Sequence, residues 1–318
     1  MSYFHLNLIL KGKLTVCCLL MLPAIPLNAQ REAKQIGDFK ESISLNEHLR
    51  GTKRTLQYRP DGDEFVCVNG KNRYTRALYG SHSPFRVETS DRPVFAFYNN
   101  GRGGNISFKV ILRDGTELAL DCTGHCESRY SAGKRTYYLT DPSWGKGELR
   151  ISVLALADMD GAIWRFSPSN MPKGAILRWQ HGGATGKRLS RNGDMGVDPA
   201  DCFELPVEAT DLVTGELSLQ KEVYLVRGEV SEGYNVRKLY QQAEAASLVL
   251  ASHLKIETPD PYLNTLGGAL VAAADGIWDG QVWLHGAIGW RMPLSGWRAG
   301  YTGDALGWHA VSYTHLTL

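Results

Sequence analysis

Short runs in which apolar and polar residues alternate fill the chain from about residue 56 to about residue 230, each bounded by Gly, Asn, Asp or Pro, after a polar and weakly patterned stretch at 31–55. Alternation with a period of two marks strands that bury one face. Glu64–Val68 runs into Asn69-Gly70, a strong hairpin signal, with Arg73–Tyr79 read as the returning strand. Pro93–Tyr98, Asn105–Arg113, Thr116–Leu120, Arg135–Thr140 and Glu148–Leu156 follow as strands. Ala162–Ser167, Ala175–Gln180, Glu204–Glu208 and Leu217–Val226 complete the set. No strand–helix–strand rhythm breaks the series, which excludes a parallel sheet and predicts an antiparallel sandwich of two sheets.

The period changes at Gly233. Tyr234–Leu254 places Val236, Leu239, Tyr240, Ala243, Ala246 and Leu250 on one helical face. Pro259 and Pro261 end that helix, and Thr258 or Asp260 is positioned to cap a second one running from about Pro261 to Trp278. An Ala/Gly-rich helix of this kind is suited to close packing against other helices.

Thr258–Trp308 carries the chemistry. Five of the eight tryptophans (Trp278, Trp283, Trp290, Trp297, Trp308) lie there among His285, Arg291, Arg298, Tyr301 and Asp304. After Trp278 the helical period disappears, and aromatic, cationic and glycine residues follow irregularly. Flat aromatic faces stack on sugar rings, while Arg and Asp hydrogen-bond hydroxyls and carboxylates. The segment is therefore read as a loop lining a carbohydrate cleft, with aromatic packing as the competing reading. Trp283, His285, Trp290, Arg291, Trp297, Arg298 and Tyr301 are the expected substrate contacts.

Glycoside hydrolysis needs one protonated and one ionised carboxyl group. Asp304 is the acid best placed to line a cleft, although helix capping at Gly303-Asp304-Ala305 is an equally good use for it. Asp275, near the helix end, is expected to face solvent, and Asp279-Gly280 reads as a turn. Arg291 and Arg298, each beside a tryptophan, suit a uronic acid carboxylate. His285 is a possible acid/base group with packing as its alternative.

Composition narrows the field further. The chain has 318 residues, is 43% hydrophobic, and balances 35 Lys and Arg against 33 Asp and Glu for a net charge of +2. That is ample for folded cores and offers no basic field for nucleic acid. Lys11 and Lys13 precede the apolar run LTVCCLLMLPAIPL and Asn28-Ala29-Gln30. This is the pattern of a secretory signal cleaved after Ala29, too short for a membrane span. The expectation is an exported protein, periplasmic or secreted, with no membrane span after cleavage.

Cys67, Cys122, Cys126 and Cys202 remain after the signal. Buried or turn thiols are the ordinary reading, with a Cys122–Cys126 disulfide as the alternative. Cys122-Thr-Gly-His-Cys126 has no second ligand pair, so no metal or other cofactor is expected. Arg102-Gly103-Gly104-Asn105 and His181–Lys187 lack the Lys-Ser/Thr and following helix of a phosphate loop.

Four motifs carry a family resemblance: Asn72–Gly80 (NRYTRALYG), Phe85–Glu88 (FRVE), Gly101–Asn105 (GRGGN) and Gly296–Tyr301 (GWRAGY). With the order signal, sandwich, linker helix and Trp-rich helix-and-loop, the chain resembles two-domain carbohydrate enzymes with a six-hairpin (α/α)6 toroid. It is most similar to an uncharacterised family of secreted Bacteroidetes proteins with a six-hairpin glycosidase-like domain. The resemblance implies a signal at 1–29, a β-sandwich at 30–232, a linker helix at 233–257 and the first toroid hairpin at 258–318. It makes the chain an N-terminal fragment whose partner elements are the rest of its own toroid. The implied activity is glycoside hydrolysis on a plant or host glycan, with polysaccharide lyase or non-catalytic glycan binding as alternatives.

Overall fold

The computed structural model describes residues 57–71, 74–99, 102–182, 212–230 and 233–285, together with Gly303 and Gly307. These residues are mainly β, in two antiparallel sheets. The first sheet contains β1 (Arg59–Asp61), β2 (Glu64–Val68), β8 (His125–Ser131), β9 (Lys134–Thr140), β10 (Glu148–Ala155), β11 (Gly161–Ser169) and β14 (Val223–Gly228), neighbours in that order. The second runs β13 (Val213–Ser218), β12 (Ile176–Gly182), β6 (Arg102–Ile111), β5 (Phe95–Asn99), β4 (Arg86–Ser90), β3 (Tyr74–Tyr79), with β7 (Glu117–Ala119) beside β6.

Alternation puts one face of each sheet into a shared core. Trp164 of β11 is fully buried, with Phe95 of β5 edge-on at 5.5 Å and Phe108 of β6 at 6.3 Å. Phe95 also meets Tyr137 of β9 at 5.7 Å, and Phe108 meets Phe166 of β11 at 5.1 Å. Rings from the two sheets thus interlock, and edge-to-face pairs of this kind add to the free energy of burial.

A buried polar knot ties the sheets together beside those rings. Arg135 of β9 donates to the Tyr58 hydroxyl at 2.6 Å, the Ser128 hydroxyl at 3.1 Å and the Ser90 carbonyl at 3.2 Å. Its guanidinium stands 3.9 Å from the Asp91 carboxylate, both groups being fully buried. Burial opposes the Arg135 charge, but Tyr137, Tyr58 and Asp91 hold its pKa above the ordinary value. Arg92 next door donates to the carbonyls of Gly70, Asp121 and Thr123 at 3.0 Å each, which ties two turns to its own at this end of the sandwich.

Two strand pairings differ from the sequence expectation. Asn69-Gly70 does not close a hairpin: β2 pairs with β1 and β8, while β3 pairs with β4 in the other sheet. Asn69 takes the left-handed conformation (φ 50°), its side-chain oxygen accepts from the Cys126 backbone N–H, and Gly70 lies against Asp91. Those tertiary contacts turn the chain across to the second sheet. Leu217–Val226 likewise divides into the ends of β13 and β14, which lie in different sheets. β1, β4 and β8 were not anticipated; β4 is buried on both faces, so its sequence lacks alternation. The expected strand at 204–208 lies outside the described residues, as do the signal segment 1–29 and all residues to 56.

Both helices form where the periodicity places them. α1 (Val236–Ala251) is capped by Asn235, whose side chain accepts from the backbone of Arg237 and Lys238. Its Leu239, Tyr240 and Ala243 pack on Leu154, Leu156 and Ile163 of the first sheet. α2 (Pro261–Gly276) is capped by Asp260, with Pro261 in its first turn. Tyr262, Leu266 and Ala269 of α2 lie against the sandwich core, and Val271 and Ala274 meet Leu250 and Leu254 at the end of α1.

The small residues of α2 serve close approach to the sandwich as well as to α1. A Cβ at Gly276 would sit 2.2 Å from the Tyr79 ring of β3. One at Gly268 would sit 3.0 Å from Ala132 in the β8–β9 turn. Thr265 donates to the Gly62 carbonyl at 2.9 Å, joining α2 to the β1–β2 turn. A toroid is not shown: α1 and α2 are the α-helices of the described residues, apart from the single residue Gly303. No helix of the described residues is long and apolar enough to cross a membrane.

Candidate functional site

The seam between the helix pair and the sandwich is not filled. The β8–β9 turn touches it at one post, where the Ser247 hydroxyl of α1 donates to the Ala132 carbonyl at 2.6 Å. A cavity lies on each side, and both are lined by Ala132 and Ser247. One has a volume of about 560 Å³ and carries Asp63, the Lys134–Glu244 ion pair (3.0 Å), Asn264 and Thr265 around an aliphatic floor that includes Leu254 and Ile256. The other, of about 440 Å³, is walled largely by Ala, Gly and Ser and holds Tyr79, His82, His253 and Asp275. Both volumes fall in the usual range of ligand sites, which favour module boundaries.

The second cavity has the more pointed chemistry. Asp275, in the last turn of α2, faces His82 in the β3–β4 loop, with Oδ1 and Nε2 3.2 Å apart. The Asp275 side chain is 22% exposed and that of His82 46%. An imidazole with a carboxylate on one nitrogen has its tautomer and ring orientation constrained, leaving the other nitrogen to exchange protons or hydrogen-bond a ligand.

The His82 loop is itself held. Asp160, in the β10–β11 turn, accepts from the hydroxyls of Ser81 (2.6 Å) and Ser83 (2.5 Å) through the same oxygen. Ser83 Oγ also accepts from the Phe85 backbone N–H, and Phe85 is buried in the core. Ala155 and Ala157, at the start of that turn, form part of the cavity wall.

Tyr79 lines the cavity, its ring close against Gly276. Its pKa is pushed up to about 12, chiefly by burial and further by the Glu88 carboxylate. At neutral pH it is a phenol, able to donate a hydrogen bond but not to act as a base. His253 places Nδ1 3.1 and 3.0 Å from the carbonyls of Val249 and Leu250, closing the end of α1.

Past Asp275 the chain enters the tryptophan segment. Trp278 and Trp283 face each other across a short antiparallel bridge with ring centroids 4.8 Å apart. Asp279 closes the turn between them by accepting from the backbone of Gln281 and Val282, as its Asp-Gly pair suggested. Trp283, an expected substrate contact, is 1% exposed and packs against Trp278. Trp278 is half-buried and His285 exposed. Trp290, Arg291, Trp297, Arg298, Tyr301 and Asp304 lie outside the described residues.

Asp275, expected to face solvent, instead lines the second cavity, and His82 and Asp160 were missed altogether. The signal available for them was slight: a Ser-His-Ser triplet beside the NRYTRALYG motif, and an Asp-Gly turn, both ordinary loop compositions. Three of the motifs behind the family resemblance fall on β3, β4 and β6 of one sheet, and the first two flank the His82 loop.

Cys67, Cys122 and Cys126 form no disulfide. Burial pushes the Cys126 pKa up to about 12 and also raises that of Cys122, so neither is a ready nucleophile at neutral pH. Among the described residues no three His, Cys, Asp or Glu side chains gather as a metal site.

No curated protein matches the chain. A match to a family model covers residues 100–244, a little under half of the chain, from β6 to the middle of α1, and the model's description is a domain of unknown function, DUF4450.

Proposed function

We propose that the chain is part of an exported glycan-processing protein, a glycoside hydrolase of the six-hairpin type working by carboxylate acid/base catalysis. The observation that carries this reading is the 440 Å³ cleft at the seam of sandwich and helix pair, which holds Asp275 and His82, Asp275 standing just ahead of the Trp- and Arg-rich segment in sequence. Its small-residue walls leave room for a sugar ring, and its polar groups match hydroxyls. Hydrolysis requires a second carboxyl group in the described cleft's vicinity, and Asp304 is our candidate for it. In this reading Trp290, Trp297 and Tyr301 supply stacking surfaces, while Arg291 and Arg298 receive the carboxylate of a uronate-containing plant or host glycan. Cleavage of the signal at Ala29 delivers the protein to the periplasm or beyond.

A second reading is favoured by one observation. A histidine oriented by a carboxylate is suited to removing a proton next to a uronate carboxyl, the first step of β-elimination by a polysaccharide lyase. Incubation with neutral and uronate oligosaccharides separates the two. Hydrolysis yields new reducing ends without ultraviolet absorbance, whereas elimination yields an absorbing unsaturated uronate. Arg298→Ala is expected to abolish uronate preference in either case. Glycan binding without turnover on any substrate would leave the non-catalytic alternative and end both enzyme readings.

A further inference from the structure

The β3–β4 loop is anchored in a way that no requirement of the sandwich explains. A loop joining neighbouring antiparallel strands needs only a turn, yet this one is fastened at two places to a turn of the opposite sheet. Ser81 and Ser83 both donate to the same Asp160 oxygen, at 2.6 and 2.5 Å. His82, the residue between them, is thereby presented on the other side, where its Nε2 stands 3.2 Å from Asp275. The three elements that line the cavity here, the β3–β4 loop, the β10–β11 turn and the end of α2, are thus joined in one chain of polar contacts running Asp160, Ser81 and Ser83, His82, Asp275.

We infer that His82 is the ligand-contacting group of this cleft, that its ligand is a pyranose-sized polyhydroxy compound, and that Asp160 is the positioning residue that sets the His82 ring against Asp275. The inference rests on the glycan reading for the identity of the ligand only. The positional part follows from geometry. Two serine hydroxyls on one carboxylate oxygen fix the backbone on both sides of His82, and a side chain so flanked loses much of the freedom it would have in an ordinary loop. The Asp275 carboxylate then favours the tautomer with the proton on Nε2, leaving Nδ1 as the acceptor for a ligand hydroxyl. Alanines and glycines make up about half of the residues lining the cavity, which limits the side-chain volume that fills it.

Histidine acylation by diethyl pyrocarbonate, mapped by mass spectrometry, reads His82 directly and without any ligand. Asp275→Ala is expected to speed acylation of His82 about fivefold, the equivalent of releasing one ordinary hydrogen bond. Asp160→Ala is expected to do the same from a distance, while His253, which is held by its own helix end, stays at its original rate and reports that the fold is intact. Should Asp160→Ala disturb folding, the double variant Ser81→Ala/Ser83→Ala makes the same test with the carboxylate left in place. An unchanged His82 rate in the Asp160 and serine variants, alongside a raised rate in Asp275→Ala, would overturn the positioning role. No response in any variant would overturn the dyad itself. Protection of His82 by neutral or uronate oligosaccharides supports the ligand class. If the variants respond as expected but no oligosaccharide protects, the glycan reading fails and the positional network stands.

Discussion

The interior of the sandwich and the seam beneath the helices are built on opposite plans. Between the sheets, Trp164, Phe95, Phe108, Tyr137 and Phe166 interlock, and even the charged Arg135 is sealed in with its partners. At the seam, alanines, glycines and serines meet with two cavities left between them, and the charged groups are only partly covered. Large interlocked rings maximise burial and dispersion and resist rearrangement. Small side chains bring backbones together without filling the space beside them, so the seam trades packing for room. The contrast suits one region to stability and the other to the ligand role proposed for it.

Substitutions can break that division if it is false. Trp164→Ala should have the largest effect, destabilising the fold by about 4 kcal/mol and lowering the urea midpoint without changing which ligands bind. Arg135→Leu, which removes the cation facing the buried Asp91 carboxylate and leaves it the Tyr58 hydroxyl, should destabilise by about 3 kcal/mol in the same assay. At the seam, Gly276→Ala drives a methyl into the Tyr79 ring and should lose about 1–3 kcal/mol, shifting the thermal midpoint and loosening the cleft together. His82→Ala or Asp275→Asn should change stability by no more than about 0.5 kcal/mol, since the pair is partly exposed. Glycan turnover in those two variants should nevertheless fall about 100-fold, the usual worth of a proton-transfer group.

The smallest expected effect is on acid stability. Burial works to raise the Glu222 pKa, but hydrogen bonds from Tyr224 and Arg165 and the Arg237 charge override it and hold the group below its ordinary value of 4.5. A carboxylate lowered by folding adds stability above its unfolded pKa, and that stability is lost as pH falls through the lowered folded value. The chain should therefore lose stability as pH drops below about 4.5, and Glu222→Gln should flatten part of that acid limb in denaturant titrations.

Much of the sandwich was legible in the sequence because alternation reports burial on one face. β5 through β7 and β9 through β12 lie close to where the pattern puts them, and Asn235, Asp260 and Pro261 mark the helix starts. Pairing was less legible. Asn69-Gly70 carries a hairpin signal, but Cys126 and Asp91, remote in sequence, determine where the chain goes next. The site was least legible, because tryptophan density cannot distinguish a stacking platform from a packed pair. Trp278 and Trp283 pack against each other. Asp275 looked like a solvent-facing residue because its partner lies 193 positions earlier in the chain. The Ser81-His82-Ser83 triplet has meaning only once the β10–β11 turn brings Asp160 beside it.

The central claim is that the His82–Asp275 cleft receives a sugar. Chemical-shift mapping of the purified protein during titration with neutral and uronate oligosaccharides tests it most directly. The account predicts saturable shifts concentrated at Tyr79, His82, Ala157 and Asp275, with the Trp164 core unmoved. Shifts confined to other surfaces, or none at any oligosaccharide concentration, would contradict it.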